Sequence, residues 1–328
     1  MSLVLIYTGG TIGGRRAGRG LVTDDRDTAS FARLLNRRLP PEAGFDAIEG
    51  VLGQLSENLQ PADWVKLARV IDARIRSGAT GIVVAHGTDT LVYTACALRW
   101  LLKDVPVPVV MTGSLLPLED SGTDAVQNLV HALGVARQTR RPGVWIAFAG
   151  KPDAPSRVLD PRNACKIASR ADCFQPVWGR AEGAVAASSG RVTWARPISS
   201  ARKAYSPRFD VDPAAVLFSL YPGFQPDWIR RAVEDGVRGI VLAGYGSGTA
   251  CVTGPGDLRP VVREAAARGA IVWMVSQHGA RVEPAYGSTA ALVKAGVRLM
   301  PGWTPEAALT ALMCRLDDDL PAGYREIE

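Results

Sequence analysis

The sequence contains few cysteines and no apolar run of membrane-spanning length. Its five cysteines are scattered and never stand at Cys-x-x-Cys spacing, a pattern typical of reduced thiols in a cytoplasmic protein. No apolar run approaches the roughly 20 residues that a bilayer requires, which argues against a membrane partner. A strand is predicted from residue 3, so we expect no signal peptide before it and a cytoplasmic location.

Motifs for metals, phosphates and dinucleotides are also missing. No group of histidine, cysteine and carboxylate residues has metal-ligand spacing. The glycine-rich turns match neither the phosphate-binding loop GxxxxGK[ST] nor the dinucleotide pattern GxGxxG. We therefore predict that the protein uses neither a metal ion nor a cofactor.

Lysine is scarce, because only six of the 38 basic residues are lysines. The remaining arginines supply most of the net charge of +6 and are spread along the chain without interleaved aromatic residues. This distribution favours a solvated basic surface and argues against a nucleic-acid partner. It also makes any lysine close to a motif more informative.

The bulk composition is that of a globular protein large enough for two domains. The chain has 328 residues, of which 47% are hydrophobic and 21% charged. Prolines interrupt the pattern after residue 150, and residues 189–210 are rich in serine, arginine, proline and glycine. We predict a large N-terminal catalytic α/β domain over residues 1–190, a linker over 191–212 and a smaller C-terminal α/β domain over 213–328.

Strands and helices alternate along the chain, which predicts a doubly wound parallel sheet in the N-terminal domain. Strands are predicted at residues 3–7, 45–52, 81–85, 107–111, 144–148, 215–220, 240–243, 271–275 and 297–300. Helices are predicted at residues 31–39, 61–77 and 91–102, around 126–133, and from near residues 226, 257 and 305. The polar, glycine-rich residues 15–30 are predicted to form a surface loop, with a lid as one possibility. The predicted core faces of the C-terminal helices are Trp228, Leu258, Val261, Val262, Leu309, Leu312 and Met313.

Three predicted strands of the N-terminal domain end in turns that combine glycine with small hydroxyl residues. We call residues 8–14 the first turn, residues 86–90 the second turn and residues 112–114 the third turn. Since the carboxyl ends of parallel strands point the same way, these turns are expected to line one crevice. Glycine lets each turn bend sharply and lets a ligand approach the backbone closely.

The residue types in these turns suit nucleophilic chemistry. The hydroxyl of Thr11 is a weak nucleophile and needs a base or a relay of groups to take its proton. Thr88 and Asp89 lie in the second turn as a hydroxyl beside a carboxylate, and Lys166 is able to complete a Thr–Asp–Lys catalytic relay. Backbone N–H groups of the two glycine turns are suited to an oxyanion hole.

Structural interpretations remain open at this point. Threonine–glycine turns are common strand ends, and Asp89 is also a suitable cap for the helix that follows it. His86 is either a general base or, as a lone histidine at a strand end, a structural residue.

The sequence resembles the bacterial L-asparaginases, including their asparaginase–glutaminase members. The resemblance covers nearly the whole chain and rests on these motifs: Thr8-Gly9-Gly10-Thr11-Ile12-Gly13, His86-Gly87-Thr88-Asp89-Thr90, Thr112-Gly113-Ser114, Asp124 with Asn128, Arg162-Asn163-Ala164-Cys165-Lys166, Tyr221-Pro222-Gly223 and Gly244-Tyr245-Gly246-Ser247-Gly248. The first two motifs are highly specific when they occur together and in this order. The missing signal peptide makes the chain similar to the cytoplasmic type.

The resemblance implies hydrolysis of a side-chain amide, with asparagine as the first substrate to test. Thr11 would be the nucleophile that forms an acyl-enzyme, and Thr88 with Lys166 the activating pair. Asp89 would hold the α-ammonium of the substrate, and Ser56 its α-carboxylate. The substrate is expected to contact Gly10, Ser56, Glu57, Gly87, Thr88 and Asp89. Members are usually dimers or tetramers in which the second domain of one subunit closes the site of its neighbour.

The chain departs from the family pattern at three positions. The family normally has a tyrosine in the loop after the first turn, where this chain has Leu21, with Thr23 as a candidate replacement hydroxyl. Glu57 follows Ser56 where glutamine or serine is more usual. Thr249 stands where an asparagine is typical, in the turn that a neighbouring subunit would contribute. These departures concern the substrate and the turnover rate more than the fold.

Two other functions fit the same motifs. The absent tyrosine motivates an amino-acid or amide sensor that keeps the pocket but has little or no turnover. The amidase subunit of a tRNA-dependent amidotransferase shares the motifs but usually carries an extra N-terminal domain. A first strand at residue 3 argues against that subunit.

Overall fold

The computed structural model describes residues 2–17, 20–22, 28–138, 141–168, 172–197, 204–279 and 281–314, and Thr23 lies outside them. The chain forms two compact units, Met1–Asp210 and Val211–Glu328. Within the described ranges, no helix combines the length and the apolar character needed to cross a membrane.

The first unit is built on an eight-stranded sheet and two short strand pairs. Its strands are β1 (Leu3–Tyr7), β2 (Arg15–Ala17), β3 (Gly20–Val22), β4 (Ala47–Gly50), β5 (Gly81–Ala85), β6 (Pro108–Thr112), β7 (Gly143–Phe148), β8 (Ser156–Leu159), β9 (Ala164–Lys166), β10 (Phe174–Pro176), β11 (Gly183–Val185) and β12 (Val192–Trp194). Its helices are α1 (Thr28–Arg38), α2 (Pro61–Arg76), α3 (Leu91–Leu101) and α4 (Ala125–Gln138).

The strand order of the main sheet is β12-β11-β8-β7-β6-β5-β1-β4. Strands β4, β1, β5, β6 and β7 pair in parallel, which confirms the predicted doubly wound parallel sheet. The chain leaves β1 toward β4 on one side and returns to β5 on the other. The order therefore reverses between β1 and β5, and such a switch point opens a crevice at the carboxyl ends of the two strands.

The central strands form because their residues are apolar on both faces. Every residue of β1 and β5 is buried, and Leu5, Ile6 and Val84 have no exposed surface. Helix α2 begins with Pro61 and a capping box in which Gln60 and Asp63 exchange hydrogen bonds. Packing of these buried apolar side chains holds the carboxyl ends of β1 and β5 in a fixed position.

Some elements of the first unit differ from the prediction. Part of the predicted surface loop is an antiparallel hairpin, β2–β3, in which Leu21 pairs with Arg16. Strands β8, β11 and β12 extend the sheet by antiparallel pairing, although the sequence analysis predicted no strands there. Strand β12 lies within the predicted linker and carries Trp194, whose ring contacts that of Trp145 at 5.0 Å.

Residues 206–209 of the predicted linker also contact the first unit. The N–H of Arg208 donates to the Leu101 carbonyl at 2.7 Å, and the N–H of Ser206 donates to the Lys103 carbonyl at 3.0 Å. The Arg69 guanidinium lies 4.8 Å from the centre of the Phe209 ring. The compact first unit therefore extends to Asp210, and the domain boundaries of the sequence analysis stay a prediction.

The second unit contains a four-stranded parallel sheet whose strands follow one another in chain order. Its strands are β13 (Ala215–Ser219), β14 (Gly239–Gly244), β15 (Ile271–Ser276) and β16 (Val297–Leu299). Its helices are α5 (Asp227–Glu234), α6 (Arg259–Ala267), α7 (Gly287–Ala295) and α8 (Pro305–Met313). These elements confirm the predicted smaller α/β unit.

Two details of the second unit were predicted wrongly. Helix α7 was missed, because its small and mixed residues form no apolar stripe. Trp228 was predicted to be in the core but is 37% exposed. Its ring instead contacts Phe224 at 5.1 Å and Tyr221 at 6.0 Å on the surface of α5. Leu258, Val261, Val262 and Leu312 are buried as predicted, whereas Leu309 and Met313 are half-buried.

Candidate functional site

The first and second turns leave the sheet side by side at the switch point. Thr8, the first residue after β1, donates from its N–H to the Ala85 carbonyl at 3.0 Å and from its hydroxyl at 3.1 Å. Gly10 has a φ of +84°, a conformation that glycine adopts without strain. A Cβ atom on Gly10 would lie 2.6 Å from the α-carbon of Gly87. The backbones of the two turns are therefore in direct contact.

Ser56 lies against the other side of the second turn. Its side chain is 3% exposed, and a Cβ atom on Gly87 would lie 2.6 Å from its hydroxyl oxygen. The Thr90 hydroxyl donates to the Ser56 carbonyl at 2.7 Å. Gly87 is thus enclosed between Gly10 and Ser56. Glu57, next to Ser56, is exposed.

Lys166 lies at the end of β9 and reaches the second turn. Its Nζ donates to the hydroxyl of Thr88 at 2.8 Å and to Oδ1 of Asp89 at 2.5 Å. The Lys166 side chain is only 15% exposed, whereas that of Asp89 is 63% exposed. The largely buried Lys166 amine is thus hydrogen-bonded to the Thr88 hydroxyl, while the exposed Asp89 carboxylate is accessible to a ligand. We call Thr88 and Lys166 the hydroxyl–amine pair.

Strand β9 is held in place by a carboxylate that the sequence analysis did not single out. Asp160 accepts from the backbone N–H of Arg162 at 3.0 Å and from its guanidinium at 2.8 Å. Arg99 of α3 lies 3.7 Å from the same carboxylate. Burial by itself raises the pKa of Asp160, but the two guanidinium groups and the hydrogen bonds bring it down to about 2. The ion pair therefore persists at neutral pH and fixes the start of β9.

The third turn is held by the beginning of α4. Both oxygens of Asp124 accept the N–H of Leu115 at 3.0 and 2.9 Å, and Oδ1 accepts that of Leu116 at 3.0 Å. The Asn128 amide donates to the Gly113 carbonyl at 2.9 Å. Burial raises the pKa of Asp124. A Cβ atom on Gly113 would lie 2.3 Å from the His86 carbonyl, so this network places the third turn directly against the second.

Backbone donors remain available in the first two turns. The N–H groups of Gly10, Thr11, Gly87 and Thr88 donate no hydrogen bond to any group in the described part of the chain. Buried N–H groups in proteins are almost always paired. Their availability here is what a site that binds an anion or a developing oxyanion requires.

The structure thus brings together most of the predicted site residues. Gly10, Ser56 and Gly87 form one contact group, and Thr88, Asp89 and Lys166 form the adjacent one. Thr11 follows Gly10 at the start of a short 3₁₀ turn, Thr11–Gly13, and is partly exposed. Its hydroxyl bonds to nothing among the described residues. Leu21 lies in β3, and Thr23 is outside the described residues.

Metal ligands do not gather anywhere in the described ranges. No group of three or more histidine, cysteine, aspartate or glutamate residues there is arranged to hold a metal ion. Fold and site together define an α/β protein with a hydroxyl–amine pair and open N–H donors at the switch point of its sheet.

Family models identify this class of protein. The model described as "Asparaginase, N-terminal" matches residues 2–198, and the "Glutaminase/Asparaginase C-terminal domain" matches residues 216–322. The chain therefore belongs to the asparaginase family, as its motifs predicted.

Known relatives carry two different names. An L-asparaginase of Thermococcus kodakarensis is 32% identical over 96% of this chain and 93% of its own length. A glutamyl-tRNA(Gln) amidotransferase subunit from Pyrococcus horikoshii is 29% identical over 79% of this chain. The match spans 59% of that second relative's length.

Solved structures have the same architecture. The thermostable L-asparaginase of Thermococcus kodakarensis superimposes with a TM-score of 0.82 at 31% identity, over 96% of this chain and 93% of that one. L-asparaginase I of Vibrio cholerae gives a TM-score of 0.81 at 26% identity, over 100% of this chain and 97% of that one.

Proposed function

We propose that this protein hydrolyses the side-chain amide of L-asparagine, or of a related small amide, to the acid and ammonia. The observation that carries the proposal is the hydrogen bond of 2.8 Å between Nζ of Lys166 and the Thr88 hydroxyl. Thr88 of this pair lies on the turn that contacts the Thr11 turn through Gly10 and Gly87. A hydroxyl nucleophile needs such a partner to take its proton.

In the proposed reaction the Thr11 hydroxyl oxygen attacks the amide carbon of the substrate. The relay requires Lys166 as the free amine: the Thr11 proton passes to Thr88, whose own proton passes to Nζ of Lys166. The tetrahedral oxyanion accepts hydrogen bonds from backbone N–H groups of the glycine turns. When the C–N bond breaks, Lys166 returns the proton to the leaving nitrogen, and ammonia departs. Water then cleaves the Thr11 ester by the reverse proton route and releases the acid.

The charges around the site support an amino-acid substrate. The exposed carboxylate of Asp89 is suited to an α-ammonium group, and the buried hydroxyl of Ser56 to an α-carboxylate. The relative named L-asparaginase is matched over 93% of its length, which favours the free amino acid as substrate. Glu57 adds a negative charge beside Ser56 and favours substrates with a cationic α-amino end.

A second candidate function follows from the relatives named as glutamyl-tRNA(Gln) amidotransferase subunits. In that case the ammonia would be passed on to glutamyl-tRNA(Gln) rather than released. The match to the Pyrococcus horikoshii protein spans 59% of its length, whereas the match to the L-asparaginase spans 93%. The amidotransferase function is therefore the second candidate.

The test is ammonia release from L-asparagine by the wild type and by Thr11→Ala and Thr11→Ser. Thr11→Ala should lose at least about 10³-fold in kcat because the attacking oxygen is gone, and Thr11→Ser should keep measurable turnover. Mass spectrometry of quenched reactions should find the acyl group on Thr11. Full activity in Thr11→Ala would refute the nucleophile. Tight asparagine binding without turnover in the wild type would identify a sensor instead.

A further inference from the structure

His86 is the first residue of the second turn and lies against the third, and its side chain is enclosed by protein. Its side chain has no exposed surface, and its Nδ1 lies 2.7 Å from the carbonyl oxygen of Gly87. Its other ring nitrogen, Nε2, is buried and has no partner in the described part of the chain. A ring with no exposed surface is not open to a substrate, which argues against the general-base interpretation of His86.

The hydrogen bond defines which nitrogen carries the proton. A carbonyl oxygen only accepts hydrogen bonds, so Nδ1 must be the N–H donor and Nε2 the bare nitrogen. Burial lowers the pKa of His86 to about 4, and the ring is therefore neutral near neutral pH. A neutral ring with its proton on Nδ1 acts as a fixed donor to one backbone carbonyl.

Fixing that carbonyl also fixes the N–H on the other side of the same peptide. In a trans peptide the C=O and N–H groups point in opposite directions within one plane. The Gly87–Thr88 peptide directs its oxygen to His86, so the N–H of Thr88 points away from His86. That N–H donates to nothing among the described residues, although Thr88 is only 8% exposed.

Glycine at position 87 makes this peptide easy to rotate unless something holds it. Gly87 has no side chain; its backbone lies against Gly10 on one side, and the Ser56 side chain covers the other. These neighbours hold the residue in place, but neither donates a hydrogen bond to its carbonyl. The hydrogen bond from His86 supplies the missing constraint.

We propose that His86 is a positioning residue that holds the Gly87–Thr88 peptide so that the Thr88 N–H serves as an oxyanion donor. This inference rests on the proposed amide hydrolysis. The Thr88 residue then contributes twice, through its hydroxyl to the proton relay and through its N–H to the oxyanion. Loss of the His86 donor should lower kcat while leaving ground-state binding, and so KM, nearly unchanged.

A matched pair of variants separates this role from simple packing. The side-chain amide of His86→Asn falls near the position of Nδ1 and keeps a donor for the Gly87 carbonyl. The longer His86→Gln carries its amide near the position of Nε2 and loses that donor. We expect His86→Asn to stay within about 3-fold of the wild-type kcat and His86→Gln to lose about 10²-fold, with KM changed less than about 3-fold in both.

Three results would overturn the proposal. They are equal losses of kcat in the two variants, a wild-type kcat in His86→Gln, or an effect confined to KM. Folding of both variants is checked by thermal unfolding. If either does not fold, ¹⁵N NMR of the wild-type ring decides the matter, because a proton on Nε2 contradicts the proposed hydrogen bond.

Crystal structures of the two variants distinguish a failure here from a failure of the proposed function. If the wild type releases no ammonia from any amide, the amide hydrolysis is wrong. The Gly87 carbonyl should still stay on the side-chain amide in His86→Asn and rotate away in His86→Gln. An unrotated carbonyl in His86→Gln would refute the positioning role in either case.

Discussion

In both units of this protein, parallel strands end in glycine-rich turns, but the turns of the two units differ in their hydrogen bonding. In the first unit, the turns after β1 and β5 contact each other and leave the N–H groups of Gly10, Thr11, Gly87 and Thr88 without partners among the described residues. In the second unit, the turn after β14 closes on itself. The N–H of Tyr245 donates to the Thr249 carbonyl at 2.9 Å, and the N–H of Thr249 donates back at 3.0 Å.

The difference follows from the order of the strands. The order β4-β1-β5 reverses around β1 and opens a crevice, whereas β13, β14, β15 and β16 follow one another without reversal. A cavity of about 340 Å³ does lie at the ends of β13 and β14, but no charged residue lines it. Parallel strands occur in both units, but unpaired backbone N–H groups at the strand ends are found at the switch point of the first unit. The site therefore depends on the strand order and not on the type of sheet alone.

The largest expected effect tests the contact between the first and second turns. Gly10→Ala would place a Cβ atom 2.6 Å from the α-carbon of Gly87 and also strain a φ of +84°. We expect the turns to separate, with kcat/KM falling by about 10²-fold or more, because a shift near 1 Å misaligns reacting groups. Steady-state kinetics and thermal unfolding measure the two consequences.

Gly246→Ala is the matched control in the second unit. Gly246 also has a positive φ, of +34°, but a Cβ atom there would meet nothing within 4 Å. It should therefore cost only the backbone strain, about 1–2 kcal/mol of unfolding free energy. Equal losses of unfolding free energy in the two variants would mean that the contact between the turns of the first unit contributes nothing to stability.

A smaller effect concerns the pH dependence of stability. Histidine has an ordinary pKa of 6.5, and burial lowers that of His86 to about 4 in the folded protein, so the unfolded chain binds the proton more tightly. The unfolding free energy should therefore fall by about 3 kcal/mol from this residue as the pH drops from 6.5 to 4. Urea unfolding across that range measures it.

His86→Asn should remove this component of the pH dependence. The control is His278→Asn, at an exposed histidine of the second unit, which should leave the pH dependence due to His86 unchanged. A wild-type slope in His86→Asn would show that another group causes the effect.

The smallest expected effect concerns the hairpin β2–β3. Leu21 stands where the resemblance described above implies a tyrosine, and a leucine side chain supplies no hydroxyl. Leu21→Tyr should raise kcat a few-fold if that hydroxyl assists Thr11. Leu21→Phe supplies the ring without the hydroxyl and should not raise kcat. A similar rise in both variants would indicate packing rather than chemistry.

Much of the sheet was predictable because its strands are continuously apolar. Strands β1 and β5 have the predicted bounds, β6 is shifted by one residue at both ends, and β7 begins one residue earlier than predicted. The antiparallel strands β11 and β12 are only three residues long and depend on pairing with distant segments. Local sequence carries little information about such pairing.

The site was predictable as a set of residues but not as a geometry. The three turns are adjacent because parallel strands end at one edge of the sheet. That Lys166 reaches Thr88 depends on the β9–β10 pair and on Asp160, whose partner Arg99 lies on a distant helix. The role inferred for His86 required the direction of one carbonyl, which no sequence pattern encodes.

The hydroxyl–amine pair joins residues that are 78 positions apart in the chain. A contact of such separation requires the closure of a long loop, which costs more chain entropy than a local contact does. During synthesis, the second turn leaves the ribosome long before Lys166 and its partner strand β10. A chain that stops before residue 166 contains the second turn but lacks the amine of the pair.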